Sequence, residues 1–75
     1  MPESYSTVSV VGLGYIGLPT SAILASRGVR VLGVDTNRHV VDTVNAGAIH
    51  IVEPDLAQLV RAVVNDGRLS AQTAG

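Results

Sequence analysis

The stretch Val8-Ser9-Val10-Val11-Gly12-Leu13-Gly14-Tyr15-Ile16-Gly17-Leu18 decides how the rest of this chain is read. A short apolar run, Val8, Val10 and Val11, stops at Gly12, and three glycines follow at the G-x-G-x-x-G spacing. Each glycine has its own physical task in such a run. Gly12 lets the chain leave a strand in a tight turn that a Cβ would obstruct. Gly14 lets backbone approach a pyrophosphate closely, and Gly17 lets the following helix pack tightly on the strands. The helix then begins with unpaired N–H groups and the positive end of its dipole aimed at the phosphates.

Glycine-rich turns are common, so the spacing alone is a weak signal. Its surroundings strengthen it: a strand before, a helix after, a second strand next, and Asp35 placed 18 residues beyond Gly17. An acid about 20 residues on is the expected holder of an adenosine ribose. The competing reading is an ordinary strand–turn–helix corner. Because all the parts coincide, Gly12, Gly14, Gly17 and Asp35 read as a dinucleotide-binding fingerprint.

Outward from this stretch, Thr7 to Val11 is β-branched and mostly apolar, which predicts a short buried parallel strand. Residues 1 to 6 are polar and read as an untied arm. Tyr15 to Arg27 reads as the first helix, apolar around much of its girth. Leu18, Ala22 and Ala25 form one stripe, and Ile16, Pro19, Thr20, Ile23 and Arg27 another. Pro19 falls in the first turn, where few N–H groups have partners, and Gly28 ends the helix. Val29 to Asp35 is the second strand, with Val31, Leu32 and Val34 expected inside and Asp35 at its carboxyl end.

Thr36 or Asn37 can cap a second helix, whose apolar positions Val40, Val41 and Val44 lead to a stop near Gly47. Arg38 and Asp42 are an i,i+4 pair expected to be a weak surface contact. Ala48 to Val52 is a loop or short extended piece. Glu53-Pro54-Asp55 then opens a third helix, with proline expected at its first position and two carboxylates near the positive dipole end. Leu56, Leu59, Val60, Val63 and Val64 give it a clear amphipathic stripe. Gly67 closes it, and Leu69 to Thr73 begins a third strand.

The order strand-helix-strand-helix-helix-strand is that of an α/β, Rossmann-type doubly wound parallel sheet with only the first, βαβ half present. Residues 1–75 are therefore expected to be the N-terminal part of an NAD-binding domain, a fragment that ends before the nicotinamide side. A chain near this size buries only ~60% of its unfolded surface, so it is marginal alone.

Composition narrows the chemistry. The chain is 47% hydrophobic with a net charge of −1, which is globular and argues against a nucleic-acid surface. There is no cysteine, hence no thiolate metal site and no cysteine nucleophile within these residues. His39 and His50 stand alone, so no metal site is expected. The N-terminus lacks a basic leader, and no apolar run approaches the ~18 residues of a membrane span. A cytoplasmic location without membrane attachment is the expectation.

Several stretches now read together: Val10 to Thr20 (V-V-G-L-G-Y-I-G-L-P-T), Gly33 to Asn37 (G-V-D-T-N), Val41 to Gly47 (V-D-T-V-N-A-G) and His50 to Leu56 (H-I-V-E-P-D-L). Over about Val8 to Ala71 the chain resembles the amino terminus of the UDP-glucose/GDP-mannose dehydrogenase family. Many dehydrogenases share the glycine spacing; its continuation and the later N-x-G and E-P-D-L stretches are more specific. Within the family, His50 to Leu56 is most similar to members acting on UDP-N-acetyl-D-mannosamine. UDP-glucose members more often have glycine where this chain has Asp55.

The resemblance implies oxidation of a sugar C6 alcohol to a carboxylate with two NAD, as in polysaccharide biosynthesis. It implies a cysteine that traps the aldehyde as a thiohemiacetal, assisted by a lysine, an asparagine and an aspartate. None of those positions lies in this chain, so no catalytic residue is assigned to it. The cofactor contacts it does imply are Gly12, Gly14 and Gly17 in the turn, Tyr15 and Ile16 as N–H donors at the helix start, and Asp35 on the ribose hydroxyls. Many UDP-glucose members add a lysine or arginine five positions after the acid, where this chain has Val40. A nucleotide-sugar substrate and a homo-oligomeric full-length protein complete what the resemblance implies.

His50 and Glu53 invite an acid–base reading, but a loop histidine and a helix-start glutamate explain both. His39, Arg61 and Arg68 read as solvated surface. Two other functions fit the fingerprint: a hydroxyacid or 3-hydroxyacyl dehydrogenase cofactor domain, and a non-catalytic NAD-sensing domain.

Overall fold

The computed structural model describes residues 7–74, and the arm expected over residues 1–6 lies outside them. The elements run β1 (Thr7–Val11), α1 (Gly17–Ser26), β2 (Arg30–Asp35), α2 (Arg38–Asn45), α3 (Leu56–Asn65) and β3 (Leu69–Thr73). The strands form one parallel sheet in the order β1-β2-β3. This is the topology expected of sequential βαβ units.

Register explains which side chains are buried. Val8, Val31 and Leu69 stand in one row across the sheet, and Val10, Gly33 and Ala71 in the next. These rows share a face because side chains alternate along a strand, and Val31, Gly33, Leu69 and Ala71 are buried there. The intervening rows, Ser9-Leu32-Ser70 and Val11-Val34-Gln72, point the other way. None of those residues is buried. The helices therefore cover one face of the sheet.

That arrangement corrects two expectations. β1 is not a buried strand: Thr7, Ser9 and Val11 are exposed and Val8 and Val10 only half-buried. Among the described residues it pairs with β2 on one side alone, and none of them forms a layer over its outward row. In β2, Val31 is inside, whereas Leu32 and Val34 are half-buried on the open face.

The core lies between the sheet and the helices. α1 contributes Leu18, Ala22 and Ala25, α2 contributes Val40, Val41 and Val44, and α3 contributes Leu56, Val60 and Val63. Each Val or Leu buried in this way contributes about 1.5–3 kcal/mol relative to exposure. Ser21 is also fully buried on α1, and its hydroxyl donates to the Gly17 carbonyl at 2.7 Å. The second stripe of α1 remains in solvent, with Ile16 and Ile23 exposed.

Helix starts differ in detail from expectation. α1 begins at Gly17, so Tyr15 and Ile16 belong to the preceding turn. Asn37 caps α2, its side-chain oxygen accepting the N–H groups of His39 at 2.9 Å and Val40 at 3.4 Å. Pro54 is not the first residue of α3. It occupies a β-turn closed by the Leu56 N–H donating to the Glu53 carbonyl at 3.3 Å. Asp55 follows it with φ 67° and ψ −10°, the geometry of the third position of a type II turn. That position favours glycine, and proline favours the one before it, so the Pro54-Asp55 pair reads as turn chemistry rather than helix entry.

Candidate functional site

The carboxyl ends of the three strands come together, and the chain there leaves β1 through Gly12. Gly12 has φ 92°, a left-handed conformation that a side chain would strain. Its N–H donates to the Val34 carbonyl at 2.7 Å, which continues the β1–β2 ladder by one step. The next residue, Leu13, turns inward and is fully buried. Its side chain lies over Gly33, where a Cβ would come within 2.7 Å of Leu13 Cδ2.

Gly17 makes the closest approach in the turn. A Cβ built there overlaps the Gly12 carbonyl oxygen and stands 3.6 Å from Val10 Cγ1. This is why the first turn of α1 can sit directly against the end of β1. Gly14 is different, because a Cβ there meets nothing within 4 Å. It faces open space.

Among the described residues, the start of α1 has no side-chain cap. Ile16 has no side-chain acceptor to offer, and the first turn carries no acid. Among the described residues, no acceptor is found for the N–H groups of Gly14, Tyr15 and Ile16. These groups and the helix dipole present positive potential toward a groove of about 540 Å3. Val11, Gly14, Tyr15, Ile16 and Thr20 line it.

A second groove of about 230 Å3 adjoins it, bounded by Val34, Asp35, Thr36 and Ala74. Val11 and Gly12 border both. The Asp35 carboxylate is held at each oxygen: Oδ2 accepts the Leu13 N–H and Oδ1 the Asn37 N–H, both at 2.9 Å. The Leu13 bond, then the Asn37 bond, hold its pKa below the ordinary carboxylate value, and the charge of His50 assists. Asp35 is thus an anion with unused lone pairs at the edge of a groove.

The structure gathers Gly12, Gly14, Tyr15, Ile16 and Gly17 around one groove and puts Asp35 on the adjoining one. Val40 is buried in the core face of α2, so it cannot reach either groove. Arg38 lies on the exposed side and meets Asp42 at 3.5 Å. His50 and Glu53 form no hydrogen bond to each other among the described residues; His50 Nδ1 is buried without a partner and Glu53 is exposed. His39, Arg61 and Arg68 are exposed and border neither groove. Leu13 was not legible as a site residue, although a large apolar residue between two turn glycines and a lone Gly33 within a strand were its signals.

A parallel sheet carrying a glycine turn, an uncapped helix start and an acid at its carboxyl ends is the first unit of a dinucleotide-binding α/β domain. Residues 6–75 match the UDP-glucose/GDP-mannose dehydrogenase family, NAD binding domain. The chain belongs to that family, and NAD is the cofactor of the domain it matches. This membership sets aside the hydroxyacid dehydrogenase alternative.

An NDP-N-acetyl-D-galactosaminuronic acid dehydrogenase of Ralstonia nicotianae is 65% identical over 69 residues, covering 92% of this chain and 16% of the relative. UDP-N-acetyl-D-mannosamine dehydrogenase of Escherichia coli is 61% identical over 70 residues, covering 93% and 17%. The solved UDP-N-acetyl-mannosamine dehydrogenase of Staphylococcus aureus superposes with a TM-score of 0.89 at 47% identity, over 93% of this chain and 17% of that one. The chain thus spans about a sixth of the length of these relatives. No helix among the described residues is long and apolar enough to cross a membrane.

Proposed function

We propose that this chain is the adenosine- and pyrophosphate-binding half of the NAD domain in a nucleotide-sugar dehydrogenase. The observation that carries the reading is the meeting of two features at one end of the sheet. The free N–H groups of Gly14, Tyr15 and Ile16 face one groove, and the Asp35 carboxylate edges the next. A dinucleotide needs those two chemistries side by side, positive potential for its pyrophosphate and an acceptor for its ribose.

The residues fit NAD in detail. The open space at Gly14 is where a phosphate can approach backbone. Gly12 and Gly17 shape the turn that presents it, and Tyr15 and Ile16 supply N–H donors. Asp35 accepts both ribose hydroxyls in charge-assisted bonds. The same carboxylate repels the 2′-phosphate of NADP; two like charges ~4 Å apart cost about 4 kcal/mol at an effective dielectric near 20. NAD, when bound, accepts the hydride.

Among the described residues one sheet face is open and one side of β1 is unpaired, which suits a doubly wound domain whose second set of strands and helices would cover them. We place the substrate among UDP-N-acetyl sugars, with UDP-N-acetyl-D-mannosamine oxidised at C6 to the uronate. Support comes from the His50-to-Leu56 stretch and the names of the relatives above.

The test is NADH formation by the intact protein with UDP-N-acetyl-D-mannosamine, UDP-N-acetyl-D-galactosamine and UDP-glucose, each with NAD and with NADP. Preferential oxidation of an N-acetylated sugar with NAD supports the reading. Equal use of NADP would remove Asp35 from its assigned role, and oxidation of UDP-glucose alone would overturn the substrate.

A further inference from the structure

The glycine turn is anchored at its two ends by backbone: the Gly12 N–H donates to the Val34 carbonyl at 2.7 Å and the Gly14 carbonyl accepts the Leu18 N–H at 3.1 Å. A Cβ at either Gly12 or Gly14 would meet nothing within 4 Å, so neither residue is packed against a neighbour on that side. Glycines also lose more conformational freedom on folding than other residues. The residue between them adds an anchor in the middle of the turn. Leu13 is clamped twice, by its fully buried side chain over Gly33 and by its N–H on Asp35 Oδ2 at 2.9 Å.

Asp35 is in turn fixed from its other side. The Asn37 N–H holds Oδ1 at 2.9 Å, so the carboxylate plane is set by backbone at both oxygens. The Leu13 contact links residues 22 apart in sequence and ties the end of β2 to the turn after β1. A carboxylate has about four lone-pair sites. Two are used by these N–H groups, which leaves acceptor capacity for two ribose hydroxyls.

We propose that Asp35 is a positioning residue for the glycine turn as well as the reader of the ribose. By accepting the Leu13 N–H it fixes the middle of Gly12-Leu13-Gly14, between the backbone bonds that hold its two ends, and so the direction in which the N–H groups that follow meet the pyrophosphate. This rests on the NAD-binding reading above and adds a second way in which Asp35 acts on affinity. Exchanging Asp35 to admit NADP would remove the ribose acceptor and the brace of the turn together.

The two roles separate with a truncated ligand. Binding of NAD, and of an NAD analogue whose adenosine ribose lacks both hydroxyls, is measured by calorimetry on the intact parent, Asp35→Ala and Asp35→Asn. A residue that only reads the ribose has nothing to lose with the truncated analogue. The positioning role predicts that Asp35→Ala still binds that analogue about tenfold more weakly than the parent, the size of one lost charge-assisted bond. Asp35→Asn keeps a carbonyl oxygen for the Leu13 N–H and is expected to recover most of that loss.

Equal binding of the truncated analogue by parent and Asp35→Ala, with a difference on NAD, would overturn the positioning role and leave the ribose reading intact. A parent indifferent to the missing hydroxyls would overturn the ribose reading instead. A second measurement needs no variant. The Leu13 amide proton resonance of the intact parent is expected to move upfield as Asp35 is protonated in acid, since its acceptor loses charge. A Leu13 resonance unmoved by that titration would also refute the brace.

Discussion

The Asn45 side chain pairs with both backbone polar groups of Ala71: its Nδ2 donates to the Ala71 carbonyl and its Oδ1 accepts the Ala71 N–H, each at 2.9 Å. The amide of Asn45 thus pairs with Ala71 as the peptide group of a neighbouring strand would. On the β2 side, the Arg68 carbonyl accepts the Val31 N–H and the Ala74 N–H donates to the Asp35 carbonyl. In a parallel ladder alternate residues face alternate sides, so Leu69, Ala71 and Thr73 face away from β2. Asn45 fills the central one of the three.

The first prediction concerns that pair. Asn45→Leu leaves the Ala71 N–H and carbonyl without their partners, which is expected to cost about 1–3 kcal/mol. It also opens the β3 edge to other strands. Amide hydrogen exchange should accelerate at Ala71 more than at Ser70, whose N–H faces β2. Unchanged protection at Ala71 would show that the pairing contributes nothing.

Two glycines of the turn should respond oppositely. Alanine normally stabilises a helix over glycine by about 1 kcal/mol. At Gly17 the added Cβ meets the Gly12 carbonyl, so Gly17→Ala is expected to destabilise by about 1–3 kcal/mol through overpacking. A Cβ at Gly14 meets open space. Gly14→Val should therefore leave the melting temperature near that of the parent while weakening NAD binding severely. Thermal melts with NAD titrations on both variants check this, and a stable Gly17→Ala protein would contradict the close approach.

Asp55 carries the positive φ of 67° without a side-chain hydrogen bond to the start of α3. Asparagine, aspartate and glycine tolerate that conformation better than other residues. Asp55→Gly is expected to stabilise by up to about 1 kcal/mol, while Asp55→Val should destabilise by about 1–2 kcal/mol. Urea denaturation ranks the three proteins. The order Gly, Asp, Val follows if the turn geometry is as described, and a reversed order would refute it.

The pKa of Asp35 gives a pH dependence of definite sign. Its folded value is lowered by the Leu13 bond, then the Asn37 bond. A depressed carboxylate stabilises the fold fully above its unfolded pKa of about 3.9, and that contribution is lost as pH falls through the folded value. The stability gap between the parent and Asp35→Asn should hold steady from neutral pH to about pH 5 and shrink in more acid solution. A gap unchanged at low pH would mean that the two N–H groups do not distinguish the charged form.

Much of the fold was legible because its signals are local. Apolar periodicity located α2 and α3, since one buried face imposes its period on neighbouring residues, whereas α1, apolar around much of its girth, was placed by the glycine turn before it and Gly28 after it. Gly28, Gly47 and Gly67 marked the helix ends. The glycine run and Asp35 were readable as a unit because the βαβ crossover fixes their spacing. The misplaced start of α3 had a local cause too: proline suits both the first turn of a helix and the second position of a β-turn, and the sequence does not choose between them.

By itself, then, the sequence determined the element order, the buried faces of α2 and α3 and the dinucleotide fingerprint, each written in residues near one another along the chain. Only the tertiary structure decided which sheet face is covered, because that depends on strand order and register. It alone showed that Leu13 reaches Asp35 across 22 residues and Asn45 reaches Ala71 across 26. Those bonds join groups with no common period in sequence. They exist because parallel strands bring their carboxyl ends together and a helix returns over the sheet edge.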